Sequence, residues 1–157
     1  YIDKYMGDGI MAIFGLERAT AAEACLDAVA AGLGMQESLH ELNAYISKQF
    51  DTTFRMGIGV HVGSVIIGEM GHPQKMQFTA IGDTVNIASR IESATKQLGV
   101  GLLVSAEVRA LLGDAARYGL SELVNLKGKS GEHLLSEVVG LNVAPPARTA
   151  AGGASAP

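Results

Sequence analysis

Apolar and polar residues alternate in two short runs at the start of the chain, residues 1–6 and 10–14, as is typical of β-strands. Residues 7–9, Gly-Asp-Gly, lie between them, and an Asp-Gly pair in that position is a strong hairpin signal. Over residues 17–48 apolar residues recur at helical spacing in a segment rich in Ala, Leu, Glu and Met. These patterns predict a β-hairpin followed by one long helix.

The middle of the chain shows three more strand-like runs, at 53–61, 65–68 and 77–81. A tight turn at 62–64 makes the first two runs a predicted hairpin, and residues 70–76 are interpreted as a loop. Residues 83–98 carry apolar side chains on one side and predict a second helix, which ends at Gly99.

The last third predicts one strand at 102–104, a short helix over 106–112 with Ser105 as its N-cap, and two strands near 117–124 and 133–139. Hairpins mixed with helices predict an α+β fold, in which helices pack on one face of a mainly antiparallel sheet.

Composition indicates one domain boundary, near residue 141. Residues 1–141 form the predicted domain, whereas residues 142–157 consist largely of Ala, Gly and Pro without periodicity and predict a linker or disordered tail. The chain begins at Tyr1 in strand-like sequence and shows no signal peptide, so we expect it to be a piece of a longer protein, cut inside a domain.

Composition narrows the class of protein. A length of 157 residues with 48% hydrophobic residues suits one globular domain with a real core. The net charge of −4 gives no general attraction for nucleic acid, so phosphate binding has to be local. The single cysteine, Cys25, excludes an internal disulfide and agrees with a reducing, cytoplasmic setting, and no run of about 18 apolar residues appears.

Asp8 and Lys4 are the first residues with candidate chemistry. A carboxylate at a hairpin tip can bind Mg²⁺, although a turn Asp often hydrogen-bonds its own backbone instead. Lys4 lies four residues earlier on the first strand, where a solvated edge lysine is the alternative.

Asn86 and Arg90 are four residues apart in the predicted helix, so they share one helix face. Arg can hold a phosphate with two hydrogen bonds and Asn can orient a sugar oxygen, although a surface polar pair is the plainer interpretation. Thr79, on the strand before, adds a hydroxyl or is simply a good strand former. With Lys4 and Asp8, these residues supply what a reaction on a nucleoside triphosphate needs.

Residues 81–92 read Ile-Gly-Asp-Thr-Val-Asn-Ile-Ala-Ser-Arg-Ile-Glu, and this string resembles the signature of the class III adenylyl/guanylyl cyclase catalytic domain. Residues 4–12, 57–63 and 126–128 resemble the same family in order and spacing, and the resemblance covers about residues 1–140. It implies the ferredoxin-like βαββαβ nucleotidyl cyclase fold, with the first strand and the following helices missing.

The resemblance implies how the base is chosen. Lys4 would hydrogen-bond the adenine ring, and Thr79 would be the second adenine-reading residue, where many adenylyl cyclases carry Asp. Thr at this position resembles the subgroup called class IIIb, some of whose members respond to bicarbonate. Guanylyl cyclases typically carry Glu and Cys at these two positions, so the pair favours ATP.

The resemblance also implies the chemistry. Asp8 would be one of two metal-binding aspartates for two Mg²⁺ or Mn²⁺ ions, which would lower the pKa of the attacking ribose 3′-hydroxyl. Asn86 would position the ribose, Arg90 would stabilise the α-phosphate in the transition state, and Lys127 would contact the terminal phosphates. The products would be 3′,5′-cyclic AMP and pyrophosphate, made for intracellular signalling.

The implied assembly is a head-to-tail homodimer with sites shared between the subunits, and regulatory domains, or a membrane anchor, would lie in the longer chain. The other metal aspartate belongs to the missing first strand, and Asp3 is wrongly placed to replace it. We therefore expect the isolated fragment to be inactive with Mn²⁺ and ATP.

A diguanylate cyclase of related fold is excluded, because residues 5–9 do not carry its Gly-Gly-Asp/Glu-Glu-Phe hairpin. A guanylate cyclase, or a non-catalytic cyclase-like module that only dimerises or regulates, stays possible. A P-loop nucleotidase is excluded because Leu123 stands where the pattern before 128–130 needs Gly.

Overall fold

The computed structural model describes residues 1–18, 20–72 and 74–143. Within them the chain forms eight strands, three α-helices and one 3₁₀ turn. In chain order these are β1 Ile2–Met6, β2 Gly9–Ala12, α1 Ala21–Phe50, β3 Ile58–Val60, β4 Ile66–His72, β5 Lys75–Ile81, α2 Asp83–Leu98, β6 Leu102–Ser105, α3 Ala106–Leu112, the 3₁₀ turn Gly113–Ala115, β7 Ala116–Asn125 and β8 Glu132–Leu141. The predicted tail lies outside the described residues from position 144 onward.

The strands form three sheets in the described part of the chain. A four-stranded sheet has the order β3-β6-β8-β7, and two separate hairpins pair β1 with β2 and β4 with β5. Every pairing is antiparallel except that of β3 with β6. The predicted α+β class with mainly antiparallel pairing is confirmed.

The helices cover both faces of the four-stranded sheet, which differs from the predicted single face. Leu102 and Val104 of β6 pack in one cluster with Val29 of α1 and with α3, whereas Leu103 packs in a second cluster with Ile91 of α2. All five side chains are almost fully buried. A strand whose successive side chains are all apolar needs cover on both faces, and this explains the arrangement.

The predicted hairpin of 53–61 with 65–68 is wrong. Of residues 53–61 only Ile58–Val60 forms a strand, and it pairs in parallel with β6. The predicted strand at 65–68 is present as the start of β4, but its partner is β5. Before β3, the backbone N–H of Phe54 donates to Asn43 Oδ1 in α1, and the Phe54 carbonyl oxygen accepts from Asn43 Nδ2. Both distances are 2.8 Å. Because a side chain already holds these groups, this stretch needs no strand partner.

The predicted loop at 70–76 is also wrong. β4 and β5 continue through it as a hairpin, with register from Ile66 opposite Ile81 to His72 opposite Lys75. The Gly and His residues there have low strand propensity, but pairing in the sheet overrides such preferences.

The helix ends follow local signals. α1 begins four residues later than predicted, because Thr20 accepts a hydrogen bond from the Glu23 backbone while the Glu23 carboxylate accepts one from the Thr20 backbone. α2 ends as predicted at Gly99, with φ of 70°, and Ser105 caps α3. No helix among the described residues is both long and apolar enough to cross a membrane.

Two glycines let the backbone of the β3 segment lie directly against α2. A Cβ on Gly59 would overlap the backbone of Ala88 and Glu92, and one on Gly57 would overlap Thr95. These positions therefore set how closely α2 approaches the sheet.

Gly59→Ala should destabilise the fold by about 1–3 kcal/mol, because the added methyl overlaps helix backbone that cannot move aside cheaply. Urea unfolding at fixed temperature measures this. Gly68→Ala is the matched control, since that strand position has open space around it, and equal effects of the two variants would contradict the close approach.

Candidate active site

Asp8 lies exposed in the turn that joins β1 to β2. The turn is possible because Gly7 has a φ of 64°, a conformation that suits glycine. The described residues contain no group of three His, Cys, Asp or Glu side chains placed to hold a metal ion. A lone exposed carboxylate still fits Mg²⁺, because Mg²⁺ commonly takes one or two protein carboxylates beside substrate phosphates.

Lys4 and Thr79 meet at the side chain of Asp3, and these three residues are called the hairpin cluster below. The Thr79 hydroxyl donates to Asp3 Oδ2 at 2.7 Å, and Lys4 Nζ lies 3.4 Å from the same oxygen. The Asp3 side chain is fully covered, whereas that of Lys4 is 28% exposed. Tyr1 packs edge-to-face on Phe78 beside the cluster, with ring centroids 5.6 Å apart.

Sequence reasoning missed Asp3 as part of the site. It considered this residue only as a replacement metal ligand. The available signal was its place in an alternating strand, where Asp3 is the buried position. Asp is seldom buried without a specific partner, so an inward-facing Asp beside Lys4 was worth following.

Arg90 and Asn86 lie one turn apart on α2, as predicted. Asn86 is exposed and Arg90 is half-buried. One guanidinium nitrogen of Arg90, Nη1, is buried and has no hydrogen-bond partner among the described residues. An unpaired buried donor is costly, and an anion beside it would remove that cost.

Arg90 and Lys127 line one open groove of about 460 Å³ between α2 and the end of β7. Gly128, with φ of 74°, turns the β7–β8 loop close to the guanidinium, so that a Cβ there would lie 3.5 Å from Arg90 Nη2. The groove thus brings together two positive side chains from different elements, which suits a phosphate group.

An ion pair between Lys129 and Asp83 fastens this loop to the first turn of α2. Its hydrogen bond from Lys129 holds the pKa of the Asp83 carboxyl below its usual range. Sequence reasoning examined Lys129 only within the P-loop pattern, and the long separation of the two residues offered no local signal.

A second polar cluster, with no role assigned from the sequence, lies where β3, α3 and β8 meet. His61 Nδ1 is 2.8 Å from the Ser105 hydroxyl and 3.8 Å from the Glu107 carboxylate. Burial lowers the pKa of His61, so its ring is neutral at pH 7 and can accept the Ser105 proton. The contact supports the cap of α3.

The structure brings the predicted site residues together only in part. The hairpin cluster holds Lys4 and Thr79, and the groove holds Arg90 and Lys127. Asn86 lies one turn before Arg90 on α2, outside the groove lining, and Asp8 lies in the β1–β2 turn.

Comparison with known proteins shows the family to which this α+β domain belongs. The family model described as the Adenylate and Guanylate cyclase catalytic domain matches residues 3–137. The chain belongs to this family.

Curated relatives include an adenylate cyclase of Anabaena cylindrica, 36% identical over 145 residues, and adenylate cyclase 1 of Rhizobium meliloti, 31% identical over 140 residues. The matches cover 88% and 89% of this chain but only 28% and 21% of those proteins. The chain thus spans about a quarter of the length of these relatives.

Solved structures of both base specificities are similar to the chain. The guanylyl cyclase Cya2 matches with a TM-score of 0.79 at 31% identity, over 90% of this chain and 70% of that one. The adenylyl cyclase CyaB from P. aeruginosa matches with a TM-score of 0.77 at 29% identity, over 88% and 70%. The ferredoxin-like cyclase fold is thereby confirmed.

Lys129→Met should raise the pKa of Asp83 toward its ordinary value, because the hydrogen bond that stabilises the carboxylate is lost. A carboxyl-carbon NMR titration measures this shift. The ion pair contributes its full stabilisation above the ordinary Asp pKa, and this contribution is lost as the pH falls through the lowered pKa. In Lys129→Met, stability should therefore depend less on pH over this acidic range. Lys127→Met, on the same loop, should leave the Asp83 titration unchanged; equal shifts would contradict the pairing.

Proposed function

We propose that the chain is the catalytic domain of an adenylate cyclase that converts ATP to 3′,5′-cyclic AMP and pyrophosphate. The observation that carries the proposal is the Arg90 guanidinium, which shares a groove with Lys127 and whose buried Nη1 has no partner among the described residues. The ribose 3′-oxygen bonds to the α-phosphorus, the bond from that phosphorus to the β-phosphate breaks, and the 3′-hydroxyl proton passes to water.

The groove residues act on the sugar and phosphates. Arg90 holds the α-phosphate oxygens, where negative charge increases in the transition state. Asn86, one turn earlier and exposed, is placed to orient the ribose so that its 3′-oxygen lines up with the phosphorus. Lys127 contacts the terminal phosphates, and the Asp83–Lys129 ion pair keeps its loop against α2.

The hairpin cluster reads the base. The Lys4 ammonium only donates hydrogen bonds, so it pairs with an acceptor on the ring, and Thr79 lies beside it. Guanylate cyclase is the second candidate, since the Cya2 structure is similar to this chain. Lys4 and Thr79 in place of Glu and Cys favour ATP.

Asp8 suits Mg²⁺ or Mn²⁺ as a hard oxygen ligand in an exposed turn. Bound ions would neutralise the triphosphate and make the 3′-hydroxyl more acidic. The chain's own part is to present the Asp8 carboxylate on a turn that Gly7 shapes.

A head-to-tail homodimer explains why the site residues lie in separate places. Large apolar side chains are exposed, among them Tyr5 at 71%, Phe50 at 70% and Ile66 at 68%, and a second copy would cover such surface. The longer relatives support regulatory domains elsewhere in the protein. ATP as the proposed substrate supports a cytoplasmic location for the domain.

Arg90→Ala in the complete gene product should lower kcat about 10²–10³-fold, because transition-state charge loses its donor. Cyclic AMP formation from ATP with Mn²⁺ is the measurement. Arg55→Ala removes an equal charge from an exposed position and should leave the rate unchanged. Full activity of the Arg90 variant would contradict the proposal.

Mixing an Asp8→Ala variant with an Arg90→Ala variant tests the shared site. Each variant alone should be inactive. If the two residues come from different subunits, each mixed dimer contains one intact site of its two. About half of randomly paired dimers are mixed, so the mixture should regain about a quarter of wild-type activity. A mixture as inactive as its components would show that one subunit supplies both residues.

A further inference from the structure

Asp3 contacts both side chains that are proposed to read the base, and its burial is unusual for a carboxylate. Its side chain is fully covered, and its Oδ1 oxygen has no hydrogen-bond partner among the described residues. A buried carboxylate with one unpaired oxygen is costly to keep. The other oxygen, Oδ2, holds the Thr79 hydroxyl at 2.7 Å and the Lys4 ammonium at 3.4 Å.

The hydrogen bond decides which way the Thr79 hydroxyl points. A carboxylate can only accept, so the single hydroxyl proton of Thr79 is directed at Asp3. The Ala80 carbonyl oxygen, 3.5 Å from the Thr79 hydroxyl, is an acceptor too. Thr79 is only 6% exposed, so water has little access to turn the hydroxyl away from Asp3. What Thr79 offers a ligand is therefore lone pairs alone.

A hydroxyl that only accepts distinguishes the two purines. Adenine carries an amino group, a donor, at the position where guanine carries a carbonyl oxygen, an acceptor. An acceptor-only Thr79 pairs with the adenine amino group and faces the guanine carbonyl with lone pair against lone pair. A freely rotating hydroxyl would donate to guanine and accept from adenine equally well.

We propose that Asp3 is a positioning residue that sets the base preference by fixing the Thr79 hydroxyl as a hydrogen-bond acceptor. The inference rests on the proposed function and deepens it. It assigns the choice of ATP over GTP to a residue that does not touch the base.

The test compares Asp3→Ala with Asp3→Asn in the complete gene product, using ATP and GTP separately. Asp3→Ala frees the hydroxyl, so the ratio of kcat/KM for ATP to that for GTP should fall about tenfold, the factor one hydrogen bond can supply. The change should lie mainly in KM for GTP, which should fall because the freed hydroxyl can donate to the guanine carbonyl. Asp3→Asn should keep the wild-type ratio, because the amide oxygen of Asn can accept from the Thr79 hydroxyl and the Lys4 ammonium as the carboxylate oxygen does.

Thr79 variants cover the case in which Asp3→Ala fails to fold. Thr79→Val lacks the hydroxyl and should lose the preference, whereas Thr79→Ser keeps both the hydroxyl and the preference. In the Thr79→Val background, Asp3→Ala should change the ratio no further, because the two residues act through one hydrogen bond.

A merely structural role for Asp3 gives a different result, lowering kcat for both nucleotides together with the melting temperature and leaving the ratio unchanged. That result overturns the inference while cyclic AMP formation by the wild type upholds the proposed function. A second measurement does not depend on turnover: the dissociation constants of ATP and GTP, determined with Ca²⁺ in place of Mg²⁺ or Mn²⁺. A wild-type protein that binds both nucleotides equally overturns the inference as well.

Discussion

The contact of β3 with α2 is the constraint on which the rest of the site depends. Two glycines, Gly57 and Gly59, let a strand and a helix approach backbone to backbone, closer than side chains permit. Farther along the segment, Gly63 leaves room for Thr84, whose hydroxyl donates to the Ser64 carbonyl at 2.8 Å. The distance between α2 and the β3 segment is thus set by glycines, which have no side chain to hold the two apart. Any shift of this helix would carry its polar face away from the β7–β8 loop.

Each of the two main clusters keeps one polar atom without a partner among the described residues, Asp3 Oδ1 in one and Arg90 Nη1 in the other. Apolar packing surrounds both, through the edge-to-face pair at Tyr1 and through Ile91 and Leu126 beneath the groove. Proteins keep such groups unpaired mainly where a bound molecule or a partner completes them. The fold therefore keeps two buried charged groups whose hydrogen bonding is incomplete among the described residues.

Much of this was readable in the sequence, where the signals were local. The extent of α2 and the cap at Ser105 followed from periodicity and end residues, because neighbouring residues decide them. The parallel pairing of β3 and the cluster around Asp3 depend on residues far apart in the chain, Thr79 lying 76 positions from Asp3. Alternation along one strand cannot tell which strand it will join, and this is why the hairpin at 53–61 was wrongly predicted.

The hydrogen bond from Thr79 to Asp3 links two hairpins that both lie outside the four-stranded sheet. An isolated two-stranded hairpin is at most marginally stable, so each depends on the other and on contacts beyond itself. The four-stranded sheet, in contrast, has buried apolar clusters on both faces. The paired hairpins should therefore open more readily than the four-stranded sheet, and they carry Lys4 and Thr79. If these residues read the base as proposed, binding of the purine would stabilise the part of the domain that opens most readily.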